Sequence, residues 1–219
     1  MNIRVVVLAA AAGVLVTTSV VLAAITWESG KPAAPAVTAG DRASALSRAY
    51  APTRGNPDAK VAIVEFIDPA CETCREFYPF VKDMVKNNPD KIRLSLRHVP
   101  LHAGSDQVIR MLEAAKKQDK YWNALEQLLA LQSSWVSNHR VNADAALALL
   151  PHAGIDVERL KADMNAPEVA ANMAQDAQDA RTLKVTQTPE YFVNGKGMPE
   201  FGYEQLRGLV TDALASNYK

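Results

Sequence analysis

The chain has only two cysteines in 219 residues, and both fall in one four-residue unit, Cys71-Glu72-Thr73-Cys74. Two thiols three positions apart can close a ring with each other or attack a disulfide in turn. If a helix begins at the first of them, its unpaired N–H groups and dipole favour a thiolate there. The second thiol then lies one turn deeper. The spacing therefore assigns Cys71 as an exposed nucleophile and Cys74 as a buried resolver: one opens a substrate disulfide and the other releases the mixed disulfide. A purely structural bridge is the weaker reading, because so short a loop removes little entropy from the unfolded chain.

Metal binding is the competing chemistry. His98 and His102 follow with an H-x3-H spacing, which invites a Cys2His2 zinc site. However, 23 residues separate Cys74 from His98, against roughly 12–15 in zinc-finger patterns. One histidine also lies on an expected strand and the other beyond Pro100. No metal site is therefore assigned, and copper(I) handling by the two thiols is kept as the alternative function. His139 and His152 stand alone and read as surface or packing residues.

The elements around the cysteines are legible. Val61–Ile67 (VAIVEFI) is short and rich in β-branched and aromatic residues, as a central strand should be. Phe77, Phe80, Val81, Met84 and Val85 recur at helical spacing after Cys71, with Pro79 expected to kink that helix. Ile92–His98 alternates as a second strand. About 80 residues of helical pattern follow, with Asp156 as an N-cap and Pro167 at a first helical position. Tyr191–Val193 and Asn194-Gly195 give a strand and a tight hairpin turn, and Leu206, Leu209, Val210, Ala213 and Leu214 line a closing helix. The order β-α-β, helical block, β-turn-β, α predicts an α/β fold with a helical insertion at about 103–184.

Ahead of this domain, residues 5–25 carry no charge and follow a single basic residue, Arg4. At 1.5 Å per residue the run spans about 30 Å, enough for a bilayer core. It exceeds the usual signal-peptide core, so residues 1–27 read as a retained membrane anchor, with a cleaved signal sequence as the alternative. Either puts the rest of the chain on the extracytoplasmic, periplasmic side. Residues 28–54 are rich in Ala and Pro and read as a tether, with a short helix allowed around Asp41–Tyr50; residues 55–219 form the domain. The chain balances 24 basic against 24 acidic residues, which removes the electrostatic footprint of a nucleic-acid binder.

Several segments together resemble the DsbA-like branch of thioredoxin-fold thiol–disulfide oxidoreductases: Cys71–Cys74 after Val-Glu-Phe, and Thr188-Pro189-Glu-Tyr-Phe-Val-Asn-Gly195 near the C-terminus. GNPDAKV at 55–61 and RHVPLH at 97–102 are similar to it as well. The resemblance implies a thioredoxin fold with an inserted helical subdomain, no dissociable cofactor beyond the cysteine pair, protein substrates carrying thiols or disulfides, and a membrane redox partner. It also implies that Pro189 is a cis-proline beside the cysteines, with Thr188 offering its backbone to an extended substrate. Glu65 matches a buried acidic residue beneath the second cysteine, able to accept the resolving thiol's proton.

The sequence departs from that pattern at points that matter. The dipeptide between the cysteines is Glu-Thr, not the Pro-His of the strongest oxidants, and Ala70 stands where many relatives have an aromatic residue. Glu72 and Asp68 place negative charge near Cys71, opposed mainly by Arg75. On this reading the thiolate has a pKa of ~5.5 and the pair a potential of ~−180 mV, short of the ~−120 mV extreme. The direction of electron flow stays open, and no dimerisation domain of the isomerase type precedes the fold.

Overall fold

The structure, a computed structural model, describes residues 37–219. The anchor or signal expected at 1–27 lies outside the described residues. Among those described, no helix is long and apolar enough to cross a membrane.

The centre is a five-stranded sheet in the order β1-β3-β2-β6-β7, with β1 Thr53–Gly55, β2 Val61–Ile67, β3 Ile92–His98, β6 Glu190–Val193 and β7 Lys196–Gly197. β2 runs parallel to β3, pairing Val61 with Ile92 through to Ile67 with His98. Its other edge pairs antiparallel with β6, Ile63 opposite Val193 and Phe66 opposite Glu190. β2 is apolar almost throughout because both of its faces are covered. Ile63 and Ile67 pack with Phe77, Val81 and Val85 of α2 (Glu72–Asn87) and with Leu206 and Val210 of α8 (Tyr203–Asn217). Val64 and Phe66 pack on the opposite side with Ala45 of α1 (Ala39–Leu46) and Ala180 and Leu183 of α7 (Pro167–Leu183). Glu65 points to the α2 side by the period-2 rule.

Between β3 and β6 lie α3 (Ser105–Ala115), α4 (Tyr121–Ala130), α5 (Ala143–Leu149), α6 (Val157–Asp163) and α7. Asp156 caps α6 through the Arg159 N–H, and Pro167 occupies the first turn of α7. α2 runs unbroken through Pro79. One feature of this block departs from the helical reading: β4 (Val136–Ser137) and β5 (Arg140–Val141) form a small hairpin. Its turn, Asn138-His139, has φ of 49° and 59°, the left-handed pair a two-residue hairpin demands. Without a glycine at the turn and with strands of two residues, no pattern announced it.

The N-terminal boundary also differs. The compact unit begins at Thr38, not Gly55, so residues 38–54 of the expected tether are part of the fold. The reason is a buried cation. Arg97 on β3 is 1% exposed, and a charge taken out of water needs partners. It finds Asp176 at 2.7 Å and Asp179 on α7, the Ala45 carbonyl at 2.7 Å, and the Tyr50 hydroxyl at 2.9 Å. Arg48 adds a two-pronged contact to Asp179, at 2.8 and 2.7 Å. The segment is therefore stitched to the domain by groups that composition alone cannot rank. Arg48→Ala is expected to lower unfolding stability by about 1.5 kcal/mol, the worth of a charged hydrogen-bonded pair at a partly exposed site. Urea unfolding measures it; a loss indistinguishable from zero would mean that the segment unfolds independently.

Candidate active site

β2 ends at Ile67 and the chain turns through Asp68-Pro69-Ala70 into α2, with Cys71 as its N-cap in extended geometry, φ −77° and ψ 123°. Asp68 builds that turn from within. It is fully buried; one carboxylate oxygen accepts the Ala70 N–H at 2.9 Å. The other accepts the Leu101 and His102 backbone N–H groups at 2.7 and 2.9 Å, and His102 Nδ1 at 2.9 Å. Gln132 clamps the same turn from the helical block, donating to the carbonyls of Pro69 at 2.8 Å and Cys71 at 3.0 Å. Cys71 is thus held by both halves of the fold. No sequence signal pointed to Gln132.

The β2–β6 register explains why residues some 115 positions apart meet. Phe66 opposes Glu190, so Thr188 and Pro189, just before β6, come alongside the turn that follows Ile67. The Thr188–Pro189 peptide is cis, and the Cys71 thiol lies 3.2 Å from the Thr188 carbonyl oxygen, to which it donates. Both cysteines are free thiols. Cys71 is less open than the spacing implied: it retains 7% exposure and Cys74 none. The contact with Thr188 and the overlying turn account for that cover.

The two thiols nevertheless differ in charge preference. Cys71 is pulled down to about 6, first by the hydrogen bond it can accept from the Cys74 thiol. Burial opposes this; the Cys74 N–H, the Thr188 side chain and the Thr73 N–H assist it. Cys74 is pushed well above its ordinary value by burial, then by Cys71 and Glu65. The low pKa therefore arises differently from the sequence-based account. Asp68 is saturated by four donors, and Glu72 has His139 Nδ1 3.8 Å from its carboxylate.

Glu65 is fully buried on the α2 face, directly across the β2–β6 ladder from Tyr191. Neither Glu65 oxygen nor the Tyr191 hydroxyl has a hydrogen-bond partner among the described residues. Burial pushes the Glu65 carboxyl up to about 8; Tyr191 draws it part of the way back, and Cys71 raises it further. The group is therefore mostly protonated at pH 7, and it is its ionised fraction that can accept a proton. In the sequence Tyr191 reads only as a strand residue; its facing Glu65 follows from the register, which local pattern does not specify.

The histidines divide. His98 is buried, with Nε2 2.9 Å from the Tyr121 hydroxyl and Nδ1 3.4 Å from Glu113, and so does not join His102 on the cysteines. His152 is exposed. His102 and His139, by contrast, approach Glu72, and one ligand atom from each of the three lies within 4.8 Å of the others.

Comparison with known proteins agrees with this geometry. A family model described as thioredoxin matches residues 47–212. The crystal structure of a thioredoxin-like oxidoreductase from Silicibacter pomeroyi DSS-3 superposes with a TM-score of 0.70 at 34% identity, covering 80% of this chain and 98% of that one. Oxidised BdbD from Bacillus subtilis gives 0.68 at 23% identity, covering 78% and 96%. Among curated sequences, the Na(+)/H(+) antiporter NhaA of Herminiimonas arsenicoxydans is 30% identical over 143 residues, which are 65% of this chain and 22% of that protein. The chain thus spans about a fifth of that relative's length. DsbA-like proteins exchange disulfides through redox-active cysteines without a dissociable cofactor. With a cysteine pair at the head of α2, a cis-proline opposite it and a helical block between β3 and β6, the chain belongs to the thioredoxin family and has the thioredoxin fold with an inserted helical block.

Proposed function

We propose that this protein exchanges disulfides with protein substrates on the extracytoplasmic side of a membrane, through Cys71 and Cys74. The asymmetry of the two thiols carries the reading. Cys71 keeps some exposure and favours the thiolate, while Cys74 is fully buried and favours the thiol. In the reducing direction the Cys71 thiolate attacks one sulfur of a substrate disulfide. That S–S bond breaks, a Cys71–substrate disulfide forms, and the departing sulfur leaves as a thiolate that takes a proton. Cys74 then gives up its proton and attacks the Cys71 sulfur. The internal disulfide closes, and the second substrate sulfur leaves as a thiol. The protein loses two electrons and the substrate gains two; oxidation of a dithiol is the same sequence reversed. Thr188, whose carbonyl oxygen lies 3.2 Å from the Cys71 sulfur, presents its backbone to an extended substrate once that contact is exchanged. Glu65 takes the Cys74 proton. Residues 5–25 anchor the chain in the membrane, and a membrane redox partner resets the pair.

The reduction potential tests the reading. An oxidant is strong when its thiolate is strongly stabilised. With Cys71 at about 6 against ~3.5 for the strongest oxidant, and roughly 30 mV per pKa unit, the pair is expected near −195 mV. Equilibration with glutathione redox buffers measures it. A value near ~−120 mV would make the protein a powerful oxidase and overturn the mid-potential assignment. Stoichiometric copper(I) retention with no disulfide turnover would replace exchange by the copper-handling alternative.

A further inference from the structure

Around the turn that carries Cys71, three side chains from three separate segments converge, none of them a thiol. Glu72 comes from the first turn of α2, His102 from the loop after β3, and His139 from the β4–β5 hairpin; one ligand atom of each lies within 4.8 Å of the others. The imidazoles of His102 and His139 lie 5.7 Å apart, 29° from parallel.

Their placement is built by the backbone. Ala103 and Arg140, each one residue beyond a histidine, form a parallel β-bridge, and the Val141 N–H donates to the Ala103 carbonyl at 3.0 Å. The two loops are thus pinned where the histidines emerge. His139 itself has φ 59°, the left-handed conformation of the hairpin turn, which histidine tolerates better than most residues.

His102 carries the chemical argument. Its Nδ1 lies 2.9 Å from an Asp68 oxygen that already receives two backbone N–H groups. A carboxylate oxygen can only accept, so Nδ1 bears a proton and any lone pair the ring offers a ligand is on Nε2. A buried carboxylate that fixes the tautomer of a mostly covered imidazole, 17% exposed, is the outer-shell arrangement of metal-ligating histidines. Asp68 is fully buried and saturated, and so supports the site without entering it. The donor set of two imidazoles and one carboxylate suits a borderline divalent ion, and three protein ligands leave a position open to water.

We propose that Glu72, His102 and His139 form a surface site for a divalent transition-metal ion, zinc being the natural probe, beside the redox centre but independent of its thiols. Ligands around a tetrahedral zinc stand about 3.3 Å apart, given bonds of about 2.0–2.1 Å. Glu72, with 45% of its side chain exposed, and His139, with 76%, are free to rotate inward. The arrangement differs from the Cys–His site that H-x3-H spacing invites, because His98 and both cysteines stand outside it.

The test uses the oxidised full chain, whose Cys71–Cys74 disulfide cannot ligate zinc, titrated with Zn²⁺ against a chromophoric chelator. One equivalent should bind. His139→Asn, which keeps a residue tolerant of the turn, and Glu72→Gln should each weaken binding by about tenfold or more, while His152→Ala should not. The imidazole C–H resonances of His102 and His139 should shift in the proton spectrum, with those of His98 and His152 unmoved. No zinc uptake by the oxidised protein, or uptake that neither variant weakens, would overturn the site.

Discussion

Cys71→Ala should abolish exchange and capture no substrate, whereas Cys74→Ala should accumulate the protein covalently joined to its substrate. Each half follows from a different property. Cys71 ionises near 6, so at pH 7 about nine-tenths of it is thiolate. A lower pKa also makes each thiolate intrinsically less nucleophilic, and ionisation alone would not exclude Cys74 as the attacking group. Access does: Cys74 has no exposed surface and Cys71 keeps 7%. Without Cys74 the mixed disulfide on Cys71 has no internal thiol to resolve it, and it persists until an external thiol intervenes. Non-reducing gels of the two variants incubated with a disulfide-bonded peptide read the difference directly. Iodoacetamide should label Cys71 at a rate that rises with pH through a midpoint near 6 and then levels off. Trapping by Cys71→Ala in place of Cys74→Ala would exchange the roles of the two residues.

The parts legible in the sequence are those fixed by local pattern. β2, α2 and β3 follow from period-2 and period-3.6 hydrophobicity, and the Asn194-Gly195 turn follows from backbone preference, with φ of 47° and 84°. The cysteine pair is legible because two residues of the same reactive type share one turn. What escaped depends on pairs distant in the chain. Arg97 gives no hint in β3 that it will be buried, and its partners Asp176 and Asp179 look like ordinary surface acids of an amphipathic helix. The fold therefore begins at Thr38, where composition suggested a tether. By proximity in sequence, Asp68 and Glu72 both read as charges acting on Cys71. In the fold, Asp68 spends its charge on the 101–102 loop, and Glu72 faces His139. Proximity in sequence gave the sign of each charge, but direction in space decided which atoms feel it.

Glu65→Gln separates the two consequences of a buried acid. The carboxyl ionises near 4.5 in an unfolded chain and near 8 in the fold, because burial penalises its charge. A raised folded pKa means that the native state binds the extra proton. Stability is then fully present below about pH 4.5 and is lost as pH rises through about 8. Integrated over that interval, the loss is roughly 3 kcal/mol at pH 7 and about 4 kcal/mol by pH 8, levelling off above. Glutamine has the same shape and no ionisation, so the unfolding free energy of Glu65→Gln should lack this decline. Its advantage over wild type should grow with pH across the window and vanish toward pH 4.5. Function should move the other way. Positioned acid–base groups contribute about 10²–10⁴ in rate, and Cys74, pushed high by burial, Cys71 and Glu65 itself, cannot shed its proton unaided. Resolution of a preformed Cys71 mixed disulfide should slow by at least about a hundredfold in Glu65→Gln and lose the pH dependence centred near 8. Attack by Cys71 on a fresh substrate, whose thiolate is formed before the encounter, should change little. A variant that resolves mixed disulfides at the wild-type rate would remove Glu65 from the proton path, leaving it a buried acid that lowers stability at neutral pH with no compensating role.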